Sequence, residues 1–274
     1  MLFNRLFYLL SFLLTVLLLS GCGSTETIST YQKDTEIEVD GNLSGWPTSG
    51  ALINDQDTFN FYVMQDSENL YIFVDFRSPF YNQAIENSGF IVYLSDNEDN
   101  KKRRGIGYPA GAFNLLRDDP AAYRDLTRDI EWYENTRNQQ RLESMREENF
   151  ENVMIVERFD SGSDAQYGFV THEQIAAEGL ELAVERDQRY YGLEFKIPLD
   201  GSAPYELQPG NTYWLGFAIE PPEFNFRNTD MNMQQNRNRY GDRRRGVRSG
   251  TTNQSSQIRR QMGQFEEWFK IEVR

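Results

Sequence analysis

Apolar residues recur at every second position in most of the chain, and this period of two most constrains its fold. In residues 70–76, for example, aliphatic side chains alternate with aromatic and acidic ones. Such short alternating segments predict an antiparallel β-sandwich, mostly β in content, rather than a parallel α/β sheet. The predicted strands are residues 35–40, 58–64, 70–76, 90–94, 152–158, 167–171, 180–186, 190–197, 212–219 and 265–273.

Two segments interrupt the alternation. Residues 113–150 hold Asp118-Asp119-Pro120, which is typical of a helix start, followed by a stretch too polar to form its own core. We predict a helical insertion there that shields an edge of the sandwich. Residues 225–263 are rich in Asn, Gln and Arg and predict a mobile loop between the last two strands. Residues 34–274 would then form a single domain.

The first residues have the layout of a secretory signal. Arg5 precedes an uncharged apolar run over residues 6–19, and Leu19-Ser20-Gly21-Cys22 follows with the only cysteine of the chain. A run of roughly 14 apolar residues is short of the ~20 that a membrane-spanning helix needs. We predict a signal peptide over residues 1–21 and a tether over residues 22–33. A chain cut before Cys22 has one thiol and cannot form an internal disulfide.

Leu19-Ser20-Gly21-Cys22 resembles the lipobox of bacterial lipoproteins, whose cysteine is acylated, for instance with palmitate. The resemblance implies that acylated Cys22 anchors the protein in membrane lipid, in a Gram-negative cell envelope. Gly23 and Ser24 do not provide the aspartate that retains such proteins at the inner membrane, so the outer membrane is favoured.

The charge of the chain is negative and unevenly distributed. The chain has 28 Lys and Arg against 42 Asp and Glu, a net charge of −14. Such a charge repels nucleic acid, so we expect no nucleic-acid partner. Residues 223–263 nevertheless carry nine arginines and three acidic residues, which would suit an acidic protein partner.

Four segments resemble, in order, family 9 carbohydrate-binding modules and their DOMON-like relatives. Residues 36–46 hold a strand, Asp-Gly and a Trp, and residues 66–72 hold Asp-x-x-x-Leu-Tyr. Residues 191–199 end in Ile-Pro-Leu, and residues 208–217 begin with a Pro-Gly turn. The resemblance implies a β-sandwich that binds carbohydrate or a related ligand without catalysis and that holds structural calcium.

Several aromatic side chains are predicted to project away from the aliphatic faces of their strands. Sugars pack their C–H-rich faces on such rings, so these side chains are candidates for ligand binding, with packing under the insertion as the alternative. Trp46 fits core packing better than sugar stacking. The candidate ligand-binding residues are Tyr71, Tyr93, Tyr190, Trp214 and Trp268.

Asp96, Glu98 and Asn100 place oxygen ligands at alternate positions, as at the start of a calcium loop. The glycine and distal glutamate of an EF-hand are missing, and Lys101 and Lys102 follow instead. A solvated turn is therefore the alternative to a calcium site.

Catalysis has little support in the sequence. His172 is the only histidine, the only thiol is Cys22, and no Gly-x-Ser-x-Gly motif occurs, so we predict a protein that is not an enzyme. Three functions remain open. The first is a lipid-anchored glycan-binding protein, and the second is a structural or assembly subunit that docks through its Arg-rich loop. The third is a haem-binding or redox module of the DOMON-like kind, with His172 and a methionine as axial ligands.

The lipobox can be tested by a single substitution. We expect Cys22→Ser to leave the precursor uncleaved and to abolish incorporation of labelled palmitate, because the acyl chains need the thiol. Ser24→Ala, just outside the motif, should change neither. Recovery of unmodified, soluble wild-type protein lacking residues 1–21 from the periplasm would contradict the prediction.

Overall fold

The computed structural model describes residues 27–33, 37–47, 52–55, 59–128, 135–145, 148–159, 165–186, 190–220 and 265–274. In these ranges the chain forms two facing β-sheets, which confirms the predicted β-sandwich. The described strands are β1 (Thr27–Ser29), β2 (Tyr31–Gln32), β3 (Leu52–Asp55), β4 (Phe59–Gln65), β5 (Asn69–Phe76), β6 (Ile91–Ser95), β7 (Arg104–Gly107), β8 (Asn152–Glu157), β9 (Gln166–Thr171), β10 (Glu181–Arg186), β11 (Tyr191–Pro198), β12 (Thr212–Ile219) and β13 (Phe265–Glu272).

The strand order shows how distant parts of the chain become neighbours. One sheet has seven strands in the order β1-β13-β12-β6-β7-β8-β9. The other has six, in the order β10-β11-β5-β4-β2, with β3 also paired to β4. The described pairings are antiparallel except for β1 with β13 and β2 with β4, which are parallel.

The inward faces of the two sheets form the main core. Phe61, Leu193 and Phe195 are fully buried, and Phe61 meets Phe217 of the opposite sheet with ring centroids 5.0 Å apart. The alternation along residues 190–197 predicts that Leu193 and Phe195 share the inward face of their strand, and the structure confirms it. The core is therefore built from large aromatic and branched side chains, which bury the most apolar area per residue.

The described helices are α1 (Pro79–Ser88), α2 (Ala112–Asp118), α3 (Pro120–Arg128), α4 (Thr136–Met145) and α5 (His172–Ala177). Helices α2 to α4 lie between β7 and β8, where the helical insertion was predicted. The insertion covers part of the outer face of the seven-stranded sheet, since Phe113 of α2 is buried in one cluster with Met154 of β8 and packs on Tyr167 of the edge strand β9. Helix α3 begins at Pro120 as expected, and the Asp119 side chain accepts the Ala122 N–H at 2.9 Å.

The N-terminal segment differs from its prediction. The proposed tether over residues 22–33 is wrong from Thr27 onward, because β1 lies along β13 and β2 lies along β4. Thr30 joins these two strands, and its N–H donates to the Glu272 carbonyl at 3.1 Å. Strands of two or three residues are too short to show a period, which explains why they were missed.

Some other predicted elements are wrong, and some concern residues that the structure does not describe. Residues 37–40 are not a strand, and β3, β7 and α1 were not predicted. The signal peptide, Cys22 and the Arg-rich segment 225–263 lie outside the described residues. In the described part of the chain, no helix is both long and apolar enough to cross a membrane.

Phe195 provides a direct test of the inward face. Its side chain is 0% exposed, so Phe195→Ala should lower the free energy of unfolding by about 3 to 5 kcal/mol. Phe80→Ala is the matched control, because Phe80 is 54% exposed and its removal should change stability by less than about 0.5 kcal/mol. Equal midpoints of urea denaturation for the two variants would contradict this packing.

Candidate functional site

The aromatic residues predicted to bind ligand lie on opposite sides of the sandwich. Tyr93 on β6, Trp214 on β12 and Trp268 on β13 share the outer face of the seven-stranded sheet. Tyr71 on β5 and Tyr190, just before β11, lie on the outer face of the six-stranded sheet. A single platform made of all five residues is therefore ruled out by the strand order.

The six-stranded sheet has its outer face covered by residues 37–46. Tyr71 is 1% exposed there, and its hydroxyl donates to Asp66 at 2.7 Å. The Tyr190 hydroxyl accepts the Leu43 N–H at 3.3 Å, and burial raises the pKa of Tyr190 above its ordinary value. Tyr190 thus helps to hold the covering segment, whereas Tyr71 is buried in the same cluster as Ile37 and Trp46 and binds the β4–β5 turn, an arrangement that does not support ligand contact by Tyr71.

The covering segment is fixed by the carboxylate of Glu194 on β11. One oxygen accepts the indole N–H of Trp46 at 2.8 Å, and the other accepts the backbone N–H groups of Asp40 and Gly41 at 3.0 and 2.8 Å. Gly41 has φ +80°, and a Cβ at this position would lie 2.5 Å from the Glu185 backbone nitrogen. The Asp-Gly and Trp of the family-like opening are therefore structural in this fold, as expected for Trp46.

The pKa of Glu194 reflects two opposing effects. Burial disfavours the charged form and raises the pKa above its ordinary value, while the three N–H donors stabilise the carboxylate and act to lower it. Burial is the larger effect, so the net shift is upward.

The other aromatic group forms a flat row across the seven-stranded sheet. Trp268 pairs with Gly216, Gly216 with Tyr93, and Tyr93 with Gly105. A Cβ on Gly216 would lie 2.4 Å from the Trp268 ring, and one on Gly105 would lie 2.7 Å from the Tyr93 ring. The rings therefore lie down over glycine backbone, and they stack on each other at 5.8 Å and 26°. Tyr93, Trp214 and Trp268 are called the outer aromatic surface below.

A hydrogen-bonded network fixes two of these rings. The Tyr93 hydroxyl donates to Glu220 at 2.5 Å, and the Lys102 ammonium binds Glu220 at 2.6 Å and Glu266 at 2.8 Å. Glu266 in turn accepts the Trp268 indole N–H at 2.7 Å. Burial acts to lower the pKa of Lys102, but the two carboxylates outweigh it and the pKa is raised. The lysine is thus held in its charged form beside the two stacked rings.

Trp214 is covered by lysine side chains. The Lys101 ammonium lies 3.4 Å from the centroid of the Trp214 ring and 5.8 Å from that of Trp268, and Lys270 lies 5.7 Å from Trp214. Trp214 is 7% exposed as a result, whereas Trp268 and both lysines are partly exposed. Among the described residues, the groups placed over this indole are therefore lysine side chains.

The turn after β6 was the candidate calcium site. Asp96 and Glu98 are exposed, and the Ser95 hydroxyl contacts the carbonyls of Asn97 and Asn100 at 3.3 and 3.2 Å. The described residues contain no group of three or more His, Cys, Asp or Glu side chains able to hold a metal ion. The geometry thus fits a hydrogen-bonded turn better than a calcium loop, and calcium at Asp96, Glu98 and Asn100 stays a prediction.

His172 has a local structural role. It begins α5, its Nε2 lies 3.0 Å from the Phe150 carbonyl oxygen, and its ring meets the Tyr108 ring edge-on at 5.2 Å. These contacts occupy one ring nitrogen and one side of the ring. Haem binding through His172 stays a prediction, without further support from its surroundings.

Two clefts lie elsewhere on the described surface. One, of about 580 Å³, lies between β7–β9, α5 and residues 203–206, where Arg104 pairs with Glu206 at 2.5 Å. The other, of about 420 Å³, lies beside α1, α2 and α4. Neither contains a residue that the sequence indicated as functional.

The charged residues around the outer aromatic surface were not predicted. Side chains alternate along a strand, so Glu266 and Lys270 lie on the same face of β13 as Trp268. The sequence pattern was therefore sufficient to predict these two neighbours of the indole. The other three charged residues lie outside strands: Lys101 and Lys102 in the turn after β6, and Glu220 directly after β12. Only the folded structure brings them to the rings.

No protein-family model matches the chain, and no curated protein matches it. Among solved structures, a family 9 carbohydrate-binding module from Caldicellulosiruptor kristjanssonii in complex with cellotriose aligns at 12% identity and a TM-score of 0.32, covering 72% of this chain and 78% of that one. A complex with glucose, also of a family 9 module from this organism, aligns at 11% identity and a TM-score of 0.31, covering 72% and 80%.

The Glu194 site gives a prediction with a defined pH dependence. Trp46→Phe removes one N–H donor, so it should cost about 1 to 3 kcal/mol and raise the pKa of Glu194 further. Because the pKa of Glu194 is higher in the folded than in the unfolded protein, folding is favoured most at pH values below the unfolded pKa. This contribution to stability is lost as the pH rises through the folded pKa. The destabilisation by Trp46→Phe should therefore grow as Glu194 ionises, in denaturation curves recorded across this pH range.

Glu194→Gln provides the control background for this measurement. In it, Trp46→Phe should have the same effect at every pH, because the titrating group is gone. A pH-dependent effect of Trp46→Phe that persists in the Glu194→Gln background would contradict the assignment. So would an effect that does not vary with pH when Glu194 is present.

Proposed function

We propose that this chain is a non-catalytic carbohydrate-binding protein, anchored by acylated Cys22 in a Gram-negative envelope, with the outer membrane favoured. Its binding site is the outer aromatic surface. One observation carries the proposal: the partly exposed Trp268 ring lies flat over Gly216 and stacks on Tyr93, which is fully buried and supports it from below the surface.

Flat rings suit the chemistry of sugars. A pyranose ring presents a face of C–H groups that packs on an aromatic ring, while its hydroxyls need hydrogen-bonding partners at the rim. Trp268 provides a partly exposed ring, and Glu266 and Lys270 lie on the same face of β13, on either side of it. The sequence resemblance to family 9 modules supports the same function.

The carboxylates of this surface fit binding better than hydrolysis. A glycosidase acid needs a carboxyl whose pKa is raised so that it carries a proton. Burial acts to raise the pKa of Glu266, but Lys102 and the Trp268 indole outweigh it and the pKa is lowered. Glu266 is therefore held as a carboxylate, which accepts hydrogen bonds and donates none.

Affinity electrophoresis of the full-length protein in non-ionic detergent tests the site. Gels containing soluble cellulose, xylan, laminarin, dextran or polygalacturonate should retard the wild type in at least one case. Trp268→Ala should weaken that binding by about tenfold or more, which corresponds to ~1.4 kcal/mol. Gly216→Val should also weaken it, because the added side chain displaces the indole without removing it.

Phe80→Ala is the control for loss of an aromatic ring outside the site, and it should bind as the wild type does. Wild-type protein that no polysaccharide retards would overturn the proposal. So would retardation that Trp268→Ala and Gly216→Val leave unchanged in folded protein.

A further inference from the structure

Among the described residues, the cations around the outer aromatic surface outnumber its carboxylates. Lys102 is neutralised by Glu220 and Glu266. Lys101 and Lys270 form no ion pair within the described part of the chain, and both ammonium groups lie near the Trp214 ring. Arg158, which is buried, lies close enough for its charge to act on Tyr93 and Glu266.

Lysines without a carboxylate partner at this position need an explanation, because the chain as a whole is acidic. It carries 42 Asp and Glu against 28 Lys and Arg, so carboxylates are plentiful, yet none pairs with Lys101 or Lys270 in the described residues. Both ammonium groups are instead directed at Trp214, the ring they cover. A ligand that brings its own negative charge would supply the missing partner.

We infer that the sugar bound at the outer aromatic surface is anionic, with a carboxylate or sulfate that Lys101 and Lys270 bind. This inference rests on the proposed function. Lys101 lies over the Trp214 indole. An anionic group draws its ammonium aside, and the uncovered indole then stacks on the sugar ring. The same two lysines therefore provide charge recognition and control access to the ring.

Comparing the binding of charged and neutral forms of the same polymer tests this inference independently of the proposed function. Polygalacturonate is compared with its methyl ester, and dextran sulfate with dextran, in affinity gels of the full-length protein. We expect retardation by polygalacturonate or dextran sulfate and at least tenfold weaker binding of the neutral partner, with affinity falling as NaCl rises. A difference between polygalacturonate and its methyl ester identifies a carboxylate as the anionic group, and a difference between dextran sulfate and dextran identifies a sulfate.

Lys101→Met combined with Lys270→Met should weaken binding of the charged polymer at least tenfold and flatten its salt dependence. Methionine keeps most of the length of the side chain and its packing on the indole, so the surface stays intact. Lys196→Met, on the outer face of the other sheet, is the control and should bind as the wild type does. Poly-L-glutamate, an anionic polymer without sugar rings, should bind at least tenfold more weakly than the charged polysaccharide.

The outcomes are distinguishable. Equal binding of charged and neutral polymers, or a charged polymer bound equally by the double lysine variant, overturns the inference and leaves the proposed function standing. Equal binding of poly-L-glutamate shows adsorption by charge alone and also overturns the inference. Absence of binding to every polysaccharide overturns the proposed function together with the inference.

Discussion

The structure depends on one constraint: each strand presents side chains to both faces of its sheet, and in this chain both sets contain large apolar residues. The inward set, including Phe61 and Phe195, is buried when the two sheets face each other. The outward set, including Phe73 and Tyr93, needs a second cover because exposed aromatic surface of this size is unfavourable in water. The segments outside the sheets are arranged to provide it.

The two outer faces are covered in different ways. Residues 37–46 lie over the six-stranded sheet and are fixed by three hydrogen bonds to Glu194, so removing them would leave a buried carboxylate unpaired. Over the seven-stranded sheet, Phe113 of the helical insertion covers the side near β8 and β9. On the side near β12 and β13, the Lys101 and Lys270 ammonium groups lie over Trp214, and Trp268 is partly exposed. Moving a lysine side chain costs little free energy, whereas moving a packed segment costs much more.

This difference explains why the binding site is proposed at one face only. A tryptophan has a different role on each face: Trp46 belongs to the covering segment and is buried against the six-stranded sheet, whereas Trp268 of the seven-stranded sheet stays partly exposed. Trp46 donates to Glu194 inside a cluster, while Trp268 donates to Glu266 at a partly exposed position. The carboxylate partner orients the indole in both cases. The surroundings decide whether the other side of the ring meets protein or solvent.

The sequence by itself determined which faces point inward, because the alternation that places Leu193 and Phe195 in the core is local. It also determined the start of α3 at Pro120 and the Asp-Gly turn at Gly41, since both rest on backbone preferences of single residues. It could not determine that Tyr71 and Trp214 lie on opposite sides of the sandwich, because strand order is set by pairing between distant segments. Only the tertiary structure brought Lys101 onto Trp214 and Glu220 to Tyr93. These contacts join turns and strand ends whose positions depend on the whole sheet.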